Sequence, residues 1–176
     1  MLWFYQDTTM NVPAIASAPR PATLDDIPAL TRLWQETGLY RPYNLPEWDV
    51  AFALQSPNAN LLVWEDVNNA LIACILAGHD GHRGWIYYVG VTPDHQKTGL
   101  GRKIVTTAED WLRSCGVWRM QLMVRSENSA MQDYYRHLGY NALDVTVMQK
   151  NINVPPADRL PADQEDGVSA GSIPAG

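Results

Sequence analysis

Fifteen residues concentrate the chemistry: Val89-Gly90-Val91-Thr92-Pro93-Asp94-His95-Gln96-Lys97-Thr98-Gly99-Leu100-Gly101-Arg102-Lys103. An apolar stretch runs into a loop patterned Gln96-x-x-Gly99-x-Gly101, and the loop opens directly into a helical repeat. The first N–H groups of a helix have no partner, and the helix dipole adds partial positive charge there. Glycines let the backbone approach a bound oxygen without a Cβ in the way. Lys97, Arg102 and Lys103 add cations within seven positions. Together these residues suit an anion such as a pyrophosphate. They would equally make a plain glycine-rich turn with a solvated basic face. A dinucleotide fingerprint is weaker, because the third small residue it needs falls on Ile104. A P-loop is excluded, because no Gly-Lys-Ser/Thr follows.

A second segment, Arg125 to Tyr140, places the polar Asn128 ahead of a helix that carries Tyr135 two turns in and stops at Gly139. Taken alone, Tyr135 reads as a packed core residue on the stripe Met131, Tyr134, Tyr135, Leu138.

The elements that must hold these segments follow from period. A short strand at Arg20–Ala22 leads to Thr23, an N-cap with Asp26 as its capping-box acid. Ile27, Leu30, Leu33 and Trp34 then recur at helical spacing to about Thr37, and Gly38 closes the helix. Pro46–Gln55 predicts a second helix. Leu61–Trp64 and Leu71–Ala77 flank a polar turn and read as a hairpin, with Trp85–Val91 as the next strand. Leu100, Ile104, Val105, Ala108, Trp111, Leu112 and Cys115 form one face of a long helix. Trp118–Val124 alternates as a strand, Ser129–Leu138 is helical, and Leu143, Val145 and Val147 predict a last strand. Trp34, Trp64, Trp111 and Trp118 fall on core faces. The order β-α-α-β-β-β-α-β-α-β belongs to an α+β domain rather than a doubly wound sheet.

The 176 residues, 46% hydrophobic and 18% charged, hold one domain with spare length. We place it at 19–150. Residues 1–18 show no period, and 151–176 are rich in Pro, Ala, Gly, Ser and acid. Both read as disordered tails. A net charge of −6 argues against broad capture of nucleic acid. The longest apolar run, Ala70–Gly78, is far short of the ~20 residues a membrane helix needs. Leu2–Tyr5 is too short for a signal peptide, and Cys74 and Cys115 form no disulfide framework, so a cytoplasmic protein is expected. No metal-ligand spacing is present.

The two segments together resemble the GNAT superfamily of acyl-CoA-dependent N-acyltransferases over about residues 19–150. Val91, Pro93, Gln96, Gly99 and Gly101 match its motif A. Asn128, Tyr135, Gly139 and Tyr140 match its motif B. Arg41–Asp49 and Asp80–Gly84 further resemble a small group of bacterial members. The resemblance implies a mixed, mostly antiparallel central sheet flanked by about four helices, with acetyl-CoA as cofactor. In this family the fourth strand splays from the fifth, and the pantetheine arm lies in the gap. Val89 and Val91 would pair with that arm through their backbone. Gln96, Lys97, Thr98, Gly99, Leu100, Gly101 and Arg102 would hold the pyrophosphate, Asn128 would contact the cofactor, and Tyr135 would point at the sulfur.

The implied reaction is direct attack by a primary amine of a small metabolite or a protein. A lysine-like amine has pKa ~10.4 and must lose a proton before it attacks. A backbone N–H near Val89–Val91 would stabilise the oxyanion. Donation from a tyrosine near pKa ~10 to a thiolate near ~8.5 is uphill by about 2 kcal/mol, small enough for Tyr135 to act as general acid. The fourth strand carries no carboxylate, so the base is sought elsewhere: Glu47 or Asp49 in the second helix, or His79, Asp80 or His82 in the loop before strand four. His82 has the best-placed ordinary pKa, and a water chain is a further option. His82 and Glu47 join Tyr135 as catalytic candidates. Arg41, Asn44 and Asp80 are candidates for holding substrate, as a monomer or homodimer. The competing reading is a non-catalytic acyl-CoA-binding or sensing module.

Overall fold

The computed structural model describes residues 18–152. The tails expected at 1–18 and 151–176 lie, apart from their inner edges, outside the described residues. Among the described residues five strands and four α-helices follow in order: β1 (Arg20–Pro21), α1 (Ile27–Glu36), α2 (Pro46–Gln55), β2 (Ala59–Glu65), β3 (Leu71–His79), β4 (Gly84–Val91), α3 (Leu100–Ser114), β5 (Met120–Gln121) and α4 (Ser129–His137). The strands form one sheet in the order β1-β2-β3-β4-β5. All neighbours are antiparallel except β4 and β5, which run parallel. This is the mixed, mostly antiparallel α+β fold expected from the sequence.

Local chemistry sets the boundaries. The Thr23 N–H donates to Asp26 Oδ2 at 2.7 Å, as a capping acid should. Both Asp26 oxygens also accept from Arg20, at 2.8 Å each, which ties the chain entry to β1. Asp66 Oδ1 accepts the N–H groups of Asn68 and Ala70, which closes the β2–β3 turn.

Strand alternation splits the core. Leu61, Val63 and Cys74 face α1 and α2, where they bury Leu30, Leu33, Trp34 and Val50. Leu62, Trp64, Ile75, Ala77 and Ile86 face the other way, onto Leu100, Ile104, Val105, Ala108 and Leu112 of α3 and Tyr135 of α4. Among the described residues no helix is long and apolar enough to cross a membrane.

Three expectations are corrected. The strand predicted over Trp118–Val124 reduces to two residues, because β4 pairs with it only at Gly84–Met120 and Trp85–Gln121 before the two diverge. The last strand predicted on Leu143, Val145 and Val147 does not form within the described residues, and all three side chains are exposed. Alternation supplies a face but not a partner backbone, and a strand needs both. Trp118 is 73% exposed rather than in the core. It lies between Arg83 and Arg119, whose guanidinium carbons sit 5.1 and 4.4 Å from its ring centroid.

Candidate active site

The β3–β4 ladder breaks where the chemistry is expected. Cys74 pairs with Gly90 and Leu76 with Tyr87, so Tyr88 and Val89 together oppose Ile75. This is a β-bulge, and Tyr88 adopts φ 50° to make it. One extra residue inverts the parity of everything beyond it. Without the bulge Tyr88 would share the face of Ile86. With it, Tyr88 packs with the α1–α2 cluster, while Val89 and Val91 are turned onto the α3–α4 cluster that contains Tyr135.

Four contacts clamp Tyr88. Its ring stacks on Trp34, with centroids 4.0 Å apart and planes 14° apart. The Cys74 thiol donates to its carbonyl at 3.2 Å. Its hydroxyl donates to Asp49 Oδ2 and accepts from Asn44 Nδ2 at 3.2 Å. Burial raises the pKa of Asp49 from its ordinary value, partly offset by the Tyr88 bond. Burial, then the neighbouring Asp49, raises that of Tyr88. Burial pushes the Cys74 thiol up to about 12, which leaves it an inert packing group.

The loop before α3 is built on left-handed backbone. Gly99 is the N-cap of α3 at φ 90°, and Lys97 also takes positive φ, 61°. The Lys103 N–H is the first to reach back, to the Gly99 carbonyl at 3.1 Å, so the N–H groups before it have no partner within the helix. Gln96 Nε2 donates to the Val91 carbonyl at 3.0 Å and Thr98 Oγ1 to the His95 carbonyl at 2.6 Å, so both side chains shape the loop. A Cβ on Gly99 would meet nothing within 4 Å, whereas one on Gly101 would meet the Tyr134 hydroxyl at 2.8 Å. That hydroxyl is buried and has no partner among the described residues. An open backbone cradle beside a strand gap fits a pyrophosphate with an extended thiol-bearing arm.

Asn128 Oδ1 accepts from the Met131 N–H at 3.1 Å and caps α4. Tyr135 is buried between Tyr134 and Tyr140, edge-on to both at 5.3 and 5.5 Å. Burial raises its pKa above the ordinary tyrosine value.

The Acetyltransferase (GNAT) family model matches residues 26–140, a span that includes the bulge, the loop and Tyr135. The chain belongs to the GNAT acetyltransferase family. An acetyltransferase of Pectobacterium atrosepticum is 34% identical over 128 residues, covering 73% of this chain and 90% of that protein. One of Yersinia pestis is 34% identical over 130 residues, covering 74% and 92%. Among solved structures, a putative acetyltransferase from Agrobacterium tumefaciens shares the fold with TM-score 0.64 at 17% identity, covering 77% of this chain and all of that one. An aminoglycoside N-acetyltransferase in complex with CoA does so with TM-score 0.66 at 13% identity, covering 77% and 95%. The acyl donor of this GNAT protein is acetyl-CoA.

The remaining candidates divide by position. His82 and Asp80 occupy the β3–β4 turn, ahead of Gly84 where β4 begins, which is itself about 13 Å from Tyr88 at ~3.3 Å per residue. Asp80 Oδ1 accepts the N–H groups of His82 and Arg83, and its Oδ2 accepts Trp85 Nε1. These bonds hold its pKa down at about 2. Glu47 is exposed, and two residues of helix turn it roughly 200° from Asp49. Arg41 donates to the carbonyls of Gly38 and Tyr40, which holds its guanidinium on its own loop. Asn44 is brought to the bulge, as described. The residue that sequence reasoning missed is Tyr88. Its type carried no signal, because its side chain faces α2 only through the bulge. Among the described residues no group of three or more His, Cys, Asp or Glu is placed to hold a metal.

Proposed function

We propose that the protein transfers the acetyl group of acetyl-CoA to a primary amine of a small metabolite or a protein by direct attack, with Tyr135 as general acid. The observation that carries this reading is Tyr135 buried in one apolar cluster with Val89 and Val91, beside the point where β4 leaves β5. Val89 and Val91 offer backbone groups to the pantetheine arm. The N–H groups of Lys97–Arg102 take the pyrophosphate, with Lys97 and Arg102 adding charge. Asn128, whose oxygen is committed to the cap, offers its amide N–H to the cofactor. An N–H of the bulge near Val89 meets the oxyanion.

Burial favours the neutral form of Tyr135, which keeps its proton in place until a thiolate develops. The same environment desolvates the thiolate and raises its proton affinity too, so the gap between the two stays small. A cytoplasmic setting accords with this reading, because Cys74 and Cys115 are both free thiols.

The test pairs binding with turnover. Acetyl-CoA at 100 times its Kd should stabilise wild type and Tyr135→Phe equally, by ~2.7 kcal/mol. The kcat of Tyr135→Phe should fall about 100-fold or more. An unchanged kcat would sink the acid role. Tight binding without turnover by the wild type, across a broad amine panel, would leave an acyl-CoA-binding module.

A further inference from the structure

We infer that Asp49, held on the Tyr88 hydroxyl at the β4 bulge, is the group that receives the acceptor as a cationic aliphatic ammonium and takes its proton. This rests on the acetyl-transfer reading above and adds to it the base and the charge class of the acceptor.

The bulge carries the inference. Its two residues send their side chains to opposite faces of the sheet: Val89 toward the cluster of Tyr135, and Tyr88 toward α2. A reacting carbon beside this strand therefore has an acid on one face and a carboxylate, one tyrosine side chain away, on the other. Attack and departure at an acyl carbon need that separation, because the nucleophile sheds protons where the leaving group does not stand.

The carboxylate is fixed for this task. Asp49 Oδ2 accepts from Tyr88, whose ring is pinned by Trp34 and whose hydroxyl is also held by Asn44. Oδ1 accepts from no group among the described residues. Asp49 makes no ion pair among the described residues, so a substrate ammonium meets an unneutralised carboxylate. Burial shifts its proton affinity toward that of a useful base. The half-buried face of Tyr88 adds an aromatic surface suited to a cation. Neither Glu47, turned away, nor Asp80, committed to three N–H donors, shares this setting.

Protons and electrons balance as follows. The ammonium gives one proton to Asp49, which passes it to solvent. The neutral nitrogen forms the C–N bond, and the C–S bond breaks. The sulfur keeps that electron pair and takes the Tyr135 proton. The second nitrogen proton, acidic once the C–N bond has formed, leaves to solvent on the Asp49 face, and solvent returns one proton to Tyr135. The net change is one amide, one thiol and one proton released.

The experiment compares 1,5-diaminopentane, cationic at neutral pH, with trifluoroethylamine, already uncharged there. For Asp49→Asn, kcat/KM toward the diamine should fall ~100-fold or more. Toward trifluoroethylamine the loss should be under about tenfold. The acetyl-CoA titration should match wild type, which shows that the variant is folded. Tyr88→Phe, which frees the carboxylate without removing it, should show the same ordering with a smaller loss. Equal losses on both amines would make Asp49 structural and overturn the inference, as would an undiminished rate with the diamine. These two amines are the cationic and uncharged members of the broad amine panel, and a wild type that binds acetyl-CoA yet acetylates no member of it would overturn the transfer reading itself, and the inference with it.

Discussion

The two ends of β4 hold the same chemical pair, an aspartate hydrogen-bonded to an aromatic side chain, and give it opposite characters. At the bulge, Asp49 accepts from Tyr88 in a half-buried setting and its pKa rises. At the turn, Asp80 accepts from Trp85 and from two backbone N–H groups in the open, and its pKa falls to about 2. Desolvation dominates the first and hydrogen bonding to the anion the second. The difference teaches that an acidic residue near a site becomes a base through what is withheld from it. Asp80 is satisfied and fixes the turn, whereas Asp49 is left with an oxygen and a charge unanswered among the described residues.

The largest effect lies outside this contrast, at the glycine loop that opens α3. Gly101→Ala should cost about 1–3 kcal/mol, because its Cβ would meet the Tyr134 hydroxyl at 2.8 Å. Acetyl-CoA affinity should weaken with it. Adding Tyr134→Phe should recover most of both losses in chemical denaturation and ligand titration. Tyr134→Phe alone should be neutral or stabilising, because it removes a buried hydroxyl with no partner among the described residues. If the double variant is no better than Gly101→Ala, the close approach is not the reason for the glycine.

The next test sets the two aspartates against each other. Asp49 has a raised folded pKa, so the folded state loses stability relative to the unfolded one as pH rises through the ordinary carboxylate value of ~3.9 toward the folded value. Asp49→Asn should therefore raise Tm at neutral pH and lose that advantage in acid. Asp80 has a depressed folded pKa. Its contribution is present above ~3.9 and disappears as pH falls through about 2. Asp80→Asn should lower Tm at neutral pH, with the gap closing toward pH 2. Thermal melts across that range would break the comparison if both variants moved the same way.

The smallest effect concerns how the turn end is anchored. Trp118 bridges Arg83, beside Asp80, to Arg119 before β5. Because Trp118 is largely exposed, Trp118→Ala should cost only about 0.5–1 kcal/mol in denaturant titration. A loss of several kcal/mol would mean that this surface stack holds the β4–β5 pairing.

Local pattern carried much of the fold. The four helices follow from periodicity and caps: α2 begins and ends where Pro46 and Gln55 indicate, and α3 begins at Leu100 after Gly99. These signals are legible because a helix bonds to itself, so its boundaries are properties of neighbouring residues. Sheet pairing is not of that kind. The apolar alternation of Leu143, Val145 and Val147 promised a strand, yet no described backbone pairs with it. Trp118 seemed a core residue only while it was counted within a longer β5.

The candidate site divides the same way. The loop from Gln96 to Arg102 and the Asn128–Tyr135 spacing are contiguous motifs, so family and acyl donor could be read from the chain. The acceptor side could not. Asp49 was one acid among several, His82 looked better by pKa alone, and Tyr88 looked like part of an apolar strand. What singles out Asp49 is one extra residue in the β3–β4 ladder, which turns Tyr88 to face it across 39 positions of sequence. By itself the sequence determined the helices, the glycine loop and the general acid candidate, because each is written in residues a turn or two apart. Only the tertiary structure decided which carboxylate stands beside the reacting strand, because a bulge is a mismatch between two strands, and neither strand encodes it alone.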